Sequence, residues 1–356
     1  MELYLLDARG ERIGIVSEYN TLTWRTSLVS ARADVSLPLS MEGLLRDAAY
    51  LERDDSDVLA VIYGQTANHG ENTLSLEACD PIELLKRRVN FWTRNYNSQR
   101  REAIVVDLVN AALSNVRDLP SANRMIPLWQ RMTDTQSVSR YLNERLTTQI
   151  SWEDCYSEVC SLLEGIPLRL CTRFSNGVIT PHLYEGVDRS AAVVFSVADG
   201  DLSDLVHARI DEGVCDTAVI GGEGEHASRL VTTARLERGI THGELWVDAS
   251  DIGNQDADGR QIPRAQVIAA LQERGEAELR EQPYENSLTG AVSEERFVFG
   301  TDYFVGDLVG FKTSFAEACD VITEVEEVFA GGAKTVNIAI GKTYPTIREI
   351  IEKRRP

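Results

Sequence analysis

The spacing of apolar side chains changes twice along this 356-residue chain, and the change bounds what it is able to fold into. Up to about residue 80 they recur at every second position, the period of a strand with one buried face. Leu3-Tyr4-Leu5-Leu6 and Ile13-Gly14-Ile15-Val16 flank Asp7-Ala8-Arg9-Gly10, a strand, turn and strand. Thr21–Arg25 and Ala33–Leu37 alternate in the same way, and Pro38 ends the second because it has no N–H for a ladder. Val58–Tyr63 and Thr73–Ala78 frame a polar hairpin loop, Gly64–Asn72.

The period then becomes helical. Ile104, Val105, Leu108, Val109, Ala112, Leu113 and Val116 share one face. A loop marked by Pro120 and Pro127 follows, and a second helix is expected over Ser137–Leu146. Ser151 and Asp154 read as a capping box for a third, with Val159, Leu162 and Leu163 inward and Gly165 as its stop. From Pro167 the period of two returns. Asn176-Gly177 between Leu168-Arg169-Leu170 and Val178-Ile179 signals a tight hairpin. Strands are expected at Ala192–Val197, Thr217–Ile220, Leu230–Leu236 and Glu244–Val247, then a helix over 264–281. Phe297–Phe299, Leu308–Lys312 and a hairpin of Val321–Phe329 with Thr335–Ile340 complete the β pattern, before a short helix from Thr346. The class expected is α+β and β-dominated. It comprises an N-terminal barrel or sandwich (1–80), a helix-rich insert (81–165), a second β-rich part (166–345) and a terminal tail (346–356).

Charge follows the same division. Residues 1–80 carry a net −8, 81–150 a net +5 and 151–356 a net −17, giving −20 overall. That total excludes an affinity for nucleic acid built on phosphate neutralisation. The basic stretch does interleave Lys86, Arg87, Arg88, Arg94, Arg100 and Arg101 with Phe91, Trp92 and Tyr96, as single-strand grooves do. The acidic whole favours a solvated basic helix end instead. The longest uncharged apolar run, Ala191–Ala198, is far short of the about 20 residues of a spanning helix. Met1-Glu2-Leu3-Tyr4 does not open a secretory leader, and six cysteines scattered at 79, 155, 160, 171, 215 and 319 make no disulfide framework. A soluble, acidic multidomain protein is expected.

Several spacings touch known chemistry and each lacks a part. Gly222-Glu223-Gly224-Glu225-His226-Ala227 fits G-x-G-x-x-A after a strand, with Glu244 about 20 residues on. The next segment, Arg229-Leu230-Val231-Thr232-Thr233, is strand-like, so no helix N-terminus faces a pyrophosphate. Gly341-Lys342-Thr343 resembles the end of a P-loop, but the required first glycine is Val336. Asn254, Asp256, Asp258 and Gly259 occupy four positions of a Ca²⁺ loop whose twelfth residue is Ala265 instead of Glu, so an acidic surface loop is expected. Cys155, Cys160, Cys171 and His182 are zinc-type ligands, but cysteines five apart on a helix diverge by about 140°. Cys171 with His182 is the one nucleophile–base pairing to consider; small apolar filler is the plainer reading of the cysteines. No catalytic residue, cofactor or metal ligand is assigned.

One series of segments has a familiar order. Gly186-Val187-Asp188-Arg189-Ser190, then Val193-Val194-Phe195-Ser196 and Asp201-Leu202, resembles the G-x-D-R-S/T, V-x-F-S and N-L stretch of siphophage tail-tip proteins. These are the Gp-thirty-seven-like minor tail proteins, or baseplate hubs, of phages infecting actinobacteria. Trp24-Arg25, Ala218–Gly222, Gly306-Asp307-Leu308-Val309 and Ile322–Val325 follow the family order, so the resemblance covers nearly the whole chain. Gly186, Asp188, Arg189, Phe195, Gly306 and Asp307 are its structural motif residues. Asp201 replaces the usual Asn, and Ala33 a common Gly. The resemblance implies two tail-tube-like domains per subunit and a homotrimeric ring. It also implies contacts with the distal tail protein, the tape measure protein and receptor-binding or tail-fibre proteins, and passage of DNA without specific binding. No enzymatic role is implied; the alternatives weighed are a nucleotide- or small-molecule-binding enzyme and a calcium-dependent or carbohydrate-binding adhesin.

Overall fold

The computed structural model describes residues 1–90, 93–113, 125–137, 139–150, 154–163, 166–210, 215–224, 229–236, 243–253, 261–281, 285–313 and 317–342. The N-terminal strands are β1 (Leu3–Leu6), β2 (Arg12–Val16), β3 (Thr21–Ser27), β4 (Ala31–Pro38), β5 (Tyr50–Arg53), β6 (Leu59–Asn68) and β7 (Thr73–Cys79), with the short helix α1 (Glu42–Leu45) before β5. A 3₁₀ turn, Pro81–Arg87, leads to β8 (Arg94–Arg100), α2 (Arg101–Ala111), β9 (Arg145–Ile150) and α3 (Cys155–Leu163). Then come β10 (Leu168–Ser175), β11 (Val178–Glu185), β12 (Val194–Ser196), β13 (Leu202–Ile210), β14 (Thr217–Gly221), β15 (Val231–Arg235) and β16 (Glu244–Asp248). Helix α4 (Arg264–Glu281) precedes β17 (Glu285–Val292), β18 (Leu308–Lys312), β19 (Glu317–Ala330) and β20 (Ala333–Lys342).

The fold is β-dominated, in several sheets. Its largest sheet runs β13-β17-β20-β19-β3-β4-β7-β6-β5-β1-β2, and β12 joins it through β18. Alternation builds it: in β4 Ala31, Ala33, Val35 and Leu37 are buried while Arg32 and Asp34 are exposed. β3 lies antiparallel to β19, with Trp24 opposite Glu327, so the first strands and the last hairpin share one sheet. Arg25 and Glu326, 301 positions apart, form a 2.6 Å ion pair across that seam.

By internal contacts the chain divides into two compact units, 1–206 with 288–341, and 207–287 with 342–356. In the first, Trp24, Leu22, Val35 and Leu76 centre one core, and Phe195, Tyr303 and Val325 another. A third gathers α2 and α3 against β10, through Ile104, Leu108, Val159 and Leu170. The second unit is the sheet β15-β14-β16, where Ala218, Ile220 and Val247 share a core with Val267 and Leu271 of α4.

Three expectations change. Among the described residues of 137–146 none is helical: 140–143 form a turn and β9 begins at Arg145. The cause is tertiary, because the buried Glu102 carboxylate accepts the N–H groups of Thr135 (2.8 Å) and Ser137 (3.1 Å) while β9 pairs with β8. The cap of α3 is Asp154 itself, whose Oδ1 accepts from Tyr156 N (3.1 Å) and Ser157 N (2.9 Å); Ser151 and Gly165 lie outside the described residues. Phe297–Phe299 makes only the single bridge Phe299 to Tyr303. The Asn176-Gly177 hairpin has both residues at positive φ (52° and 75°), the twist that matches antiparallel strands. The helix expected from Thr346 lies outside the described residues.

Candidate functional site

Of the six motif residues, Gly186, Arg189 and Gly306 gather around one carboxylate, that of Asp307. The chain leaves β11 at Glu185 and runs beside the start of β18, with Asp188 bridged in parallel to Leu308. Leu308 N donates to Val187 O (3.0 Å) and Arg189 N to Leu308 O (2.8 Å). The approach requires glycine: a Cβ on Gly186 would lie 1.8 Å from the carbonyl oxygen of Gly306, which itself sits at φ 103°. Directly beyond, Asp307 is fully buried. Its Oδ1 accepts from the Tyr184 hydroxyl (2.6 Å) and Val187 N (2.8 Å), and its Oδ2 from Arg189 Nε (2.7 Å) and Phe304 N (3.0 Å).

Burying a carboxylate costs several kcal/mol unless it is paired and hydrogen-bonded, and four donors, one of them the Arg189 guanidinium, meet that demand here. Burial first, and then the hydrogen bond to Asp307, push the Tyr184 phenol up. The hydrogen bond to Asp307 raises the Arg189 guanidinium. Asp188 acts separately: its Oδ1 accepts from Ser190 N (3.0 Å) and Ser190 Oγ (2.6 Å), closing the loop and lowering its own pKa. Phe195 packs edge-on against Tyr303 and Phe297, at centroid distances of 5.2 and 5.6 Å. The arrangement holds a chain crossing in place. Tyr184 and Phe304 lie just outside the motif segments Gly186–Ser190 and Gly306–Val309, and no sequence pattern marks them. Asp201, in place of Asn, is buried and forms a 3.0 Å ion pair with Arg296.

Cys171 and His182 are cross-strand partners in the β10–β11 hairpin, with Sγ 3.2 Å from Nε2. Their electrostatics oppose nucleophilic use. Burial pushes the thiol up to about 11, and burial with nearby Arg173 lowers the imidazole to about 4. Both groups are neutral near pH 7, with a consequence for stability. The imidazole's folded pKa lies below its ordinary 6.5, so its contribution is complete above 6.5 and is lost as pH falls towards 4. The thiol's lies above 9.0, so its contribution is complete below 9.0 and is lost as pH rises towards 11. Thermal melts of His182→Gln should therefore lose less stability than wild type on acidification through that window; equal slopes would contradict the assignment.

The remaining candidates fall apart or pair off. After Gly222 the next described element is β15, antiparallel to β14, and Gly222 N donates to Leu230 O (2.8 Å). Residues 225–228, the calcium-like loop 254–259 and Thr343 lie outside the described residues, as do Phe91 and Trp92. The basic stretch is largely neutralised: Lys86 pairs with Glu83, Arg94 with Asp107, Arg100 with Glu102 and Asp134, and Arg101 with Glu144. Among the described residues no three His, Cys, Asp or Glu gather to hold a metal ion. No described helix is long and apolar enough to cross a membrane.

This fold is that of phage tail proteins. A tail protein from Neisseria meningitidis MC58 superposes with a TM-score of 0.59 at 10% identity, covering 96% of both chains. The 43 kDa tail protein of prophage MuSo2 from Shewanella oneidensis does so with a TM-score of 0.60 at 10% identity, covering 96% of this chain and 98% of that one. The chain belongs to the Siphovirus ReqiPepy6 Gp37-like protein family, whose model matches residues 2–342. No curated protein sequence matches it.

Proposed function

We propose that this chain is a structural virion protein, the hub at the distal end of a long non-contractile phage tail. The family match over residues 2–342 carries this reading, and the tail-protein fold over nearly the full chain supports it. In the hub, three copies form a closed ring that continues the tail tube, with segments 1–80 and 166–345 as its tube-like walls and 81–165 as an insert. The ring binds the distal tail protein, the tape measure protein and the receptor-binding or tail-fibre proteins. It is assembled in the host cytoplasm and stays at the tail tip.

The role is mechanical and needs no cofactor: the Asp307 knot keeps the crossing between the β11 exit and β18 from opening under load. The net −20 per chain is of the same sign as DNA, and acidic side chains lining the bore of such a ring would let the ejected DNA pass without adhering. Sedimentation of the purified protein with the distal tail protein should show a complex containing three copies of this chain, and immunogold should label the tail tip. Absence of the chain from purified virions, together with no binding to the distal tail ring, would end the proposal.

A further inference from the structure

The sheet β15-β14-β16 buries one face under α4, through Ala218, Ile220, Ala234 and Val247. The alternate positions point the other way. There Val231 is 49% and Trp246 53% exposed, and the register places Trp246 opposite Val219, which lies opposite Thr233.

The indole is held in place. A Cβ on Gly221 would lie 2.5 Å from Trp246 Cη2 and 2.6 Å from Arg229 Nε, so ring and guanidinium both rest on the glycine backbone. Arg229 is fixed in turn: Nε donates to Gly222 O (2.9 Å), Nη2 to Gly221 O (3.1 Å), and the guanidinium pairs with Asp248. Its carbon stands 5.2 Å from the indole centroid, a cation–π distance. Half the tryptophan is therefore presented to solvent by a preorganised backing.

We propose that Trp246, rimmed by Arg229, Asp248 and Thr233, is a stacking platform for a neutral pyranose sugar. The C–H bonds on one face of a pyranose carry partial positive charge and meet the negative face of the indole. The ring hydroxyls then fall on the rim, where a guanidinium, a carboxylate and a hydroxyl supply donors and acceptors. Size favours a small ligand. Three strands at about 4.8 Å spacing and five residues at about 3.3 Å each make a face of roughly 230 Å². A stable protein partner needs about 800 Å² on each side. The charges bordering it, Arg229 and Arg235 against Glu244 and Asp248, sum to zero and give no net field for a charged polymer. The inference is independent of the hub assignment.

The test uses the full-length protein, with galactose, maltotriose and tri-N-acetylchitotriose as probes covering axial and equatorial hydroxyls and an acetamido group. Saturation-transfer NMR and tryptophan fluorescence should show saturable binding of at least one probe with Kd on the order of 1 mM. Trp246→Ala should weaken it at least about tenfold, while Trp246→Phe, which keeps a smaller ring, should retain part. Circular dichroism would establish that both variants are folded; if Trp246→Ala is not, Trp246→Phe and Thr233→Val supply the comparison. Saturation by none of the probes up to about 20 mM, or equal affinity in the variants, overturns the proposal. So does loss of binding to another tail protein in Trp246→Ala when no sugar saturates, which would make the face a protein contact.

Discussion

Asp307→Ala is expected to destabilise the protein by about 3–5 kcal/mol, the cost of breaking a buried ion pair by removing one partner. The substitution strands the Val187 and Phe304 N–H groups and the Tyr184 hydroxyl together with the Arg189 guanidinium. Asp307→Asn keeps the volume but turns an NH₂ towards donors on one side, so an intermediate loss is expected. Gly186→Ala should act on the same crossing by a different route, pushing the backbone off the Gly306 carbonyl. Denaturant unfolding of the three variants measures this. Asp307→Ala within about 0.5 kcal/mol of wild type would show that the knot carries no stability.

Glu327→Ala should cost a similar amount, about 3–5 kcal/mol, at the seam between β3 and β19. Glu327 is 2% exposed and Arg53 8%, and Arg53 Nη1 lies 2.5 Å from Glu327 Oε2. Lys334 Nζ approaches the other oxygen at 3.0 Å, and Arg53 stacks over Trp24 at 5.1 Å. Burial works against the Arg53 charge, but hydrogen bonds to Asp55 and Glu327 outweigh it and leave that pKa raised. Without Glu327 the guanidinium stays buried with only the half-exposed Asp55 as partner. Replacing both partners by apolar residues, Arg53→Met with Glu327→Leu, should recover most of the loss, since no uncompensated charge remains. A double variant as unstable as the single one would show instead that the loss does not come from a stranded charge.

The parts of the fold legible in the sequence are those whose cause is local. The Asn176-Gly177 turn needs two residues at positive φ and states them, and β18 spans the expected Leu308–Lys312. Strand β8, Arg-Asn-Tyr-Asn-Ser-Gln-Arg, carries no apolar alternation and is a strand because β9 pairs with it. The Asp307 site lies between these cases. Gly306-Asp307 and Gly186–Arg189 stand out as motifs, yet the donors Tyr184, Val187 and Arg189 are 118 to 123 positions from the acceptor. Spacing in sequence carries no distance across such a gap. Cys171 and His182 are similar: a two-residue turn places them opposite each other, but only burial decides that both are neutral.

The sequence by itself determined the alternation of single strands, the tight turn at Asn176-Gly177, the acidic balance and the family order of its motifs. Periodicity tells which face of a strand is buried, and a turn residue tells where the chain reverses. Neither names a partner. The tertiary structure decided that β3 pairs with β19 across 301 positions, that the Glu102 carboxylate takes the Ser137 N–H while Arg145 begins a strand against β8, and that Asp307 finds its four donors. Strand pairing, desolvation and the satisfaction of a buried charge depend on groups brought close only by folding, so their outcome appears only in the folded chain.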